Sequence, residues 1–261
     1  MSGLPARVEA SPRISFLVGG VQKCGTTALA RYLAQHPGVV LPKGKEAHVF
    51  DAPDFDDGWD VEQVDARYAP HFPAQADRKR MHGDATPIYC FHPVLVRRIA
   101  AYNPAMRWIL ILRHPVERAV SQWRMETARG DDNWPLWRAA LFERWRVAGH
   151  QDDFSPDSPL RRHTYLARGD YARQLDALYA RFPRRQVLLL RNEELAMAPG
   201  SVLARVWKFL GLPEPEAVPV PGRVFDSGQS PLPGFAPTRH LLALLLRRRM
   251  RDAEHRYGIR W

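Results

Sequence analysis

Near its amino end the chain runs Ile14-Ser-Phe-Leu-Val-Gly-Gly-Val-Gln-Lys-Cys-Gly-Thr-Thr-Ala-Leu29, an apolar stretch that breaks into a glycine-rich turn and continues as an amphipathic one. The pattern predicts a buried strand over 14–20, a tight loop, and a helix over 26–35. Such a loop crowds backbone N–H groups toward one point, and the positive end of the helix faces the same point. It is a cradle for a nucleotide's phosphates, and it commits the chain to an α/β arrangement.

The spacing separates this loop from the common nucleotide-binding pattern. Gly20 and Gly25 are five apart and Thr27 follows, but Thr26 stands where G-x-x-x-x-G-K-[ST] requires lysine. The lysine lies inside the loop instead, at Lys23. Only five of the 38 Lys and Arg residues are lysines, so one placed here suits a compact ammonium able to act on a leaving oxygen. A second apolar run, Met106–Leu112, is followed at once by Arg113-His-Pro-Val-Glu-Arg-Ala-Val-Ser121, a helix start with proline in its first turn. Arg113 then stands at the carboxyl end of a strand, where open α/β sheets bind ligands, with Ser121 about two helical turns further on. A guanidinium and a hydroxyl make a receptor for a second phosphate. A phosphoryl-transfer enzyme of the P-loop kind would place a magnesium-binding aspartate after such a strand.

With both segments in order, the chain resembles the sulfotransferases that use 3′-phosphoadenosine 5′-phosphosulfate (PAPS), in particular the glycosaminoglycan (heparan sulfate) branch. The likeness extends through Gly44-Lys-Glu-Ala-His-Val-Phe-Asp51, Asp84-Ala-Thr-Pro-Ile-Tyr89, Gly169-Asp-Tyr-Ala-Arg-Gln-Leu175 and Val206-Trp-Lys-Phe-Leu-Gly-Leu212. The resemblance implies a P-loop-like loop, Gln22, Lys23, Cys24, Gly25, Thr26 and Thr27, that binds the 5′-phosphosulfate, and Arg113 and Ser121 on the 3′-phosphate. It implies Lys23 as the cation at the leaving oxygen and Glu46 as general base, with His48 as the alternative base. It implies no metal, because the charge that builds on the bridging oxygen can be met by a cation and backbone donors. Asp84 and Thr86 are candidate acceptor-binding residues, Asp84 serving equally as a cap. Pro221-Gly-Arg223 is the nearest match to a basic loop that closes on the 3′-phosphate. One departure stands out: Ala85 occupies a position where several glycosaminoglycan enzymes carry lysine, so no acceptor identity is transferred from them.

The expected fold is a single doubly wound α/β domain over 13–261, with a tail at 1–12, a Pro/Gly-rich loop at 212–237 and a basic C-terminal helix. Strands are expected near 14–20, 38–41, 80–83, 107–112 and 186–190. Helices are expected near 26–35, 92–102, 116–129, 135–149, 170–182 and 200–210. The net charge of +10 is half concentrated in Arg239–Trp261, which can pack its leucines on the core or meet an anionic surface. No nucleic-acid signature accompanies it. Trp123, Trp134, Trp137 and Trp145 are either core residues or an aromatic wall for an acceptor.

Two cysteines make no disulfide framework, no apolar run approaches the ~18–20 residues of a membrane span, and no signal core precedes the first strand. A cytoplasmic protein is expected, and the preference for arginine over lysine points to a bacterial source. The expected partner is a carbohydrate or small hydroxylated acceptor. A nucleotide kinase and a non-catalytic polyanion-binding protein are the competing readings.

Overall fold

A computed structural model describes residues 13–73, 79–215 and 235–261. Five strands, β1 (Ile14–Gly20), β2 (Val39–Val40), β3 (Met81–Asp84), β4 (Arg107–Leu112) and β5 (Val187–Arg191), form one parallel sheet in the order β2-β3-β1-β4-β5. The connections from β1 run toward β2 and those from β4 toward β5. The carboxyl ends of β1 and β4 therefore flank a topological switch point, where a doubly wound sheet opens a crevice.

The helices that flank the sheet are α1 (Thr26–Ala34), α2 (Val61–Tyr68), α3 (Pro93–Tyr102), α4 (Pro115–Arg129), α5 (Leu136–Leu141), α6 (Glu143–Val147), α7 (Pro159–Arg162), α8 (Tyr171–Tyr179), α9 (Asn192–Met197), α10 (Pro199–Leu210) and α11 (Ala236–Tyr257). The central strands carry apolar side chains on both faces: in β4, Trp108 to Leu112 are all buried, as a strand covered on two sides requires. A second apolar cluster joins Val116, Ala119 and Val120 of α4, Leu136, Ala139 and Ala140 of α5, and Leu242 and Leu246 of α11.

Several elements differ from the sequence expectation. The helix expected over 135–149 is broken at Phe142 into α5 and α6. The Glu143 carboxylate turns inward there and accepts hydrogen bonds from the backbone N–H groups of Leu166 (2.5 Å) and Ala167 (2.7 Å), a demand that a continuous helix would not meet. Helix α2 was not expected. Its signal is a capping box in which Asp60 accepts from the Gln63 N–H and Gln63 returns the bond to the Asp60 N–H, with Val64 and Tyr68 on the buried face. Helix α9 was likewise unforeseen, and β2 is two residues long rather than four.

Helix α11 packs its apolar face on the body. Leu242, Leu246 and Ala253 are buried against the body, and three of its arginines pair with it: Arg239 with Glu117, Arg256 with Asp176 (2.5 Å) and Arg249 with Asp170 (3.6 Å). Among the described residues, no helix is long and apolar enough to cross a membrane.

The approach of β3 to β1 depends on Gly83. A Cβ at this position would lie 2.2 Å from the Phe16 ring, which is itself fully buried. Gly83→Ala is expected to cost about 1–3 kcal/mol through overpacking. Urea denaturation should show a lower midpoint with an unchanged slope, and an unaltered midpoint would contradict this account.

Candidate active site

The loop between β1 and α1 is shaped before any ligand arrives. Gly25 takes a left-handed φ of 102° at the helix N-cap, and no side chain caps α1, so the first-turn N–H groups remain available to an anion. Lys23 also lies in the left-handed region, at φ 69°. The loop is tied down from two distant elements: the Asn192 side-chain amide donates to the Cys24 carbonyl (2.9 Å), and Arg113 donates to the Lys23 carbonyl (3.4 Å). Tyr171 in turn donates to the Arg113 carbonyl (2.8 Å). Arg113, one residue beyond β4, is thereby held against the loop that Lys23 belongs to.

A cavity of about 1250 Å³ opens at this point. Its walls include Gln22, Lys23, Gly25, Thr26, Thr27, Glu46, His48, Arg113 and Ser121, so the structure brings together nine of the residues singled out in the sequence. Burial lowers the Lys23 ammonium from the ordinary lysine range, with Arg129, Arg113 and Lys45 acting in the same direction and Glu126 opposing. An ammonium with a weakened hold on its proton suits a group that meets negative charge on a departing oxygen.

Glu46 and His48 sit on the segment that follows β2, and this segment is kinked, not extended. Gly44, Lys45 and His48 all have positive φ, at 80°, 74° and 54°. The resulting kinks bring the two side chains into contact: His48 Nε2 donates to Glu46 Oε2 at 3.0 Å, and its Nδ1 donates to Asp51 Oδ2 at 2.8 Å. Burial by itself would lower the His48 pKa, but the two carboxylates outweigh it and raise it to about 9. The ring is an imidazolium at neutral pH with both N–H groups engaged, so it has no lone pair with which to accept a proton. Burial pushes the Glu46 pKa up, yet hydrogen bonds from His48 and Lys45 prevail and hold it below the ordinary glutamate value. Glu46 is therefore an ionised, firmly oriented carboxylate.

Asp84 and Thr86 do not reach the cavity. Both are fully buried. One Asp84 oxygen accepts from the Ala47 N–H (3.2 Å) and the Thr86 hydroxyl (2.7 Å), and the other accepts from Tyr68 (3.0 Å) and Tyr89 (2.9 Å). With every lone pair occupied, the carboxylate supports the Glu46–His48 segment from beneath instead of contacting an acceptor. Despite these bonds, burial raises its pKa to about 6. Cys24 belongs to the loop by its backbone only: its thiol is buried and pushed up to about 11. Arg223 lies outside the described residues. None of Trp123, Trp134, Trp137 and Trp145 lines the cavity. Trp123 stacks on Phe235 (5.7 Å), Arg138 and Arg146 cover Trp134, and Trp145 is 72% exposed.

Several cavity residues carried no sequence signal. Asn192 arrives from α9, more than 160 residues beyond the loop it fastens. Arg161 donates to Asp51 Oδ2 (2.5 Å) and so anchors the carboxylate that holds His48. Arg124, Glu126, Arg129 and Arg162 complete a mixed but mainly cationic rim. Among the described residues, no three His, Cys, Asp or Glu side chains gather as a metal site.

The His48 geometry sets a pH dependence. Its folded pKa lies above the ordinary value of about 6.5, so the stability it contributes is fully present below that pH. That contribution is lost as pH rises through about 9. An imidazole NMR titration should place the His48 midpoint near 9, and Asp51→Asn should bring it down toward about 6.5. A wild-type midpoint already near the ordinary value would refute the clamp.

The chain resembles known proteins in sequence and in fold. The family model described as the sulfotransferase domain matches residues 13–220. Heparan sulfate glucosamine 3-O-sulfotransferase 3B1 of Homo sapiens is 31% identical over 196 residues, which cover 75% of this chain and 45% of that protein. Bifunctional heparan sulfate N-deacetylase/N-sulfotransferase 2 of Bos taurus is 29% identical over 203 residues, 76% of this chain and 22% of that protein. The chain thus spans less than half the length of these curated relatives. The crystal structure of a sulfotransferase from Alicyclobacillus acidocaldarius is similar with a TM-score of 0.75 at 27% identity, covering 95% of this chain and 97% of that one. A match that begins ahead of β1 and continues past α10 takes in the loop, Arg113 and the Glu46 segment together, and the chain belongs to the sulfotransferase domain family.

Proposed function

We propose that this protein transfers the sulfuryl group of PAPS to a hydroxyl of a carbohydrate or related hydroxylated compound. One observation carries the reading: the Lys23 loop, the Arg113–Ser121 pair and the Glu46 carboxylate line a single cavity at the switch point of the sheet. Two separate anion receptors on adjacent strands fit a nucleotide phosphorylated at both ends, and a chain of phosphates from one end alone would not need both.

The donor supplies a sulfuryl group bonded through oxygen to a 5′-phosphate. The protein's part is positional and electrostatic. The first-turn N–H groups of α1, with Thr26 and Thr27, hold the 5′ side, while Arg113 and Ser121 hold the 3′-phosphate. Gln22 and Gly25 shape the loop wall, and Cys24 contributes its tethered backbone. Lys23 stabilises the negative charge that develops on the oxygen between phosphorus and sulfur, and it can deliver a proton there. Glu46 accepts the proton of the attacking hydroxyl. His48 orients Glu46 and does not compete with it for the proton. The heparan sulfate enzymes among the relatives support a carbohydrate acceptor.

Calorimetric titration without metal tests the donor site. Adenosine 3′,5′-bisphosphate should bind more tightly than adenosine triphosphate, and Arg113→Ala should weaken the bisphosphate at least tenfold. Equal or tighter binding of the triphosphate, indifferent to Arg113, would return the loop to the kinases. With radiolabelled PAPS and a heparosan oligosaccharide as the first acceptor offered, Lys23→Ala is expected to lower kcat by about 10²–10³. Glu46→Gln should lower it by about 10²–10⁴.

A further inference from the structure

Lys45 has no part in the mechanism above, yet it occupies a constrained backbone position beside Glu46. It follows Gly44 into the left-handed region at φ 74°, a conformation that a side-chain-bearing residue keeps only where its surroundings enforce it. The surroundings do enforce it. The Lys45 N–H donates to the Pro42 carbonyl (2.9 Å), and the Lys45 carbonyl accepts from the Ala85 N–H (3.1 Å), locking the turn to the exit of β3. The ammonium then folds back to donate to the Ala85 carbonyl (3.5 Å) and to Glu46 Oε1. Only 19% of the side chain is exposed, against 29% for Glu46.

Each oxygen of Glu46 therefore has its own cationic partner: Oε1 has Lys45 and Oε2 has His48. Behind His48 stand Asp51 and Arg161, and beneath Ala47 stands Asp84. Lys45 also lies on the wall shared by the main cavity and a second one of about 510 Å³, with Thr27 as the other common residue. Its charge reaches Lys23 as well, where it helps to lower the pKa. Ala85, directly below, is fully buried and brings no charge of its own.

We propose that Lys45 is a positioning residue of the transfer centre: anchored on the Ala85 carbonyl, its ammonium fixes Oε1 of Glu46 and so aims the carboxylate into the cavity. The assignment rests on the sulfuryl-transfer reading. It explains why a strained lysine is tolerated here, since a relaxed backbone at position 45 would carry the ammonium away from both of its partners. It also explains how Glu46 remains ionised in a half-buried setting. His48 alone would leave one oxygen free to rotate.

The test reads the carboxylate itself and needs no acceptor. The side-chain carboxyl carbon of Glu46, labelled with ¹³C and assigned by its loss in Glu46→Gln, is titrated by NMR in the full-length protein. The comparison is between wild type, two neutral replacements, Lys45→Met and Lys45→Gln, and the charge-conserving Lys45→Arg. Both neutral variants should move the Glu46 midpoint to higher pH, and Lys45→Arg should bring it back toward wild type. Adenosine 3′,5′-bisphosphate should bind to all of them within about threefold of wild type, a difference under 1 kcal/mol. An unmoved Glu46 midpoint in a folded neutral variant overturns the proposal. Failure of wild type to bind the bisphosphate overturns the sulfuryl-transfer reading instead, whatever the NMR titration shows.

Discussion

Everything at the site hangs on the parallel pairing of β1 with β4 on one side and β3 on the other. That pairing brings three chain segments, far apart in sequence, to the same edge: the phosphate loop after β1, Arg113 after β4, and Asp84 with Ala85 at the end of β3. β1 and β4 are apolar on both faces, so burial drives the layer together, and the absence of a side chain at Gly83 in β3 lets the Phe16 ring close the gap. The N–H of Val21 continues the ladder one step beyond β1 by donating to the Ile111 carbonyl (3.0 Å). The sheet thus hands its register on to the loop.

The Glu46 side of the cavity is organised by a different force. Asp84 is a buried carboxylate, costly to place in an apolar layer unless its lone pairs are satisfied, and here four donors satisfy them. Two of these, Tyr68 and Tyr89, come from α2 and from the turn beyond β3. The third and fourth, Ala47 N–H and the Thr86 hydroxyl, tie the carboxylate to the segment carrying Glu46. Thr86 Oγ1 in addition accepts from the His48 N–H (3.4 Å). A buried charge thereby supports a second, cavity-facing one, and the two carboxylates differ in environment: burial raises the first, while cationic partners lower the second.

Much of this was legible in the chain, and the unread remainder has physical causes. The β1–loop–α1 unit and the Arg113 turn are local, written in consecutive residues whose propensities agree, so both strands and the helices after them fall within a residue or so of expectation. What failed was non-local. The inward turn of Glu143 that breaks the 135–149 helix is set by backbone N–H groups at 166 and 167, which no window around 143 contains. The acceptor role expected of Asp84 and Thr86 gave way because burial depends on Tyr68 and Tyr89 closing over them. His48 looked like a base because its spacing from Glu46 was visible and its flanking Asp51–Arg161 pair was not. Asn192 offered no pattern at all, since its partner is a carbonyl at the other end of the chain.

The tethers on the Lys23 loop bear on how an anion is received. A free loop of five residues would surrender backbone freedom at about 1–2 kcal/mol per residue on closing around its ligand. Here the Cys24 and Lys23 carbonyls are already pinned by Asn192 and Arg113, and Gly25 already holds the turn open at the helix end. The ordering cost has been met during folding, by contacts that span the molecule, and the electrostatic attraction of the site is left to act on the ligand nearly undiminished. The same arrangement makes the stability of α9 and the grip of the donor loop one shared quantity: whatever loosens Asn192 loosens the cradle.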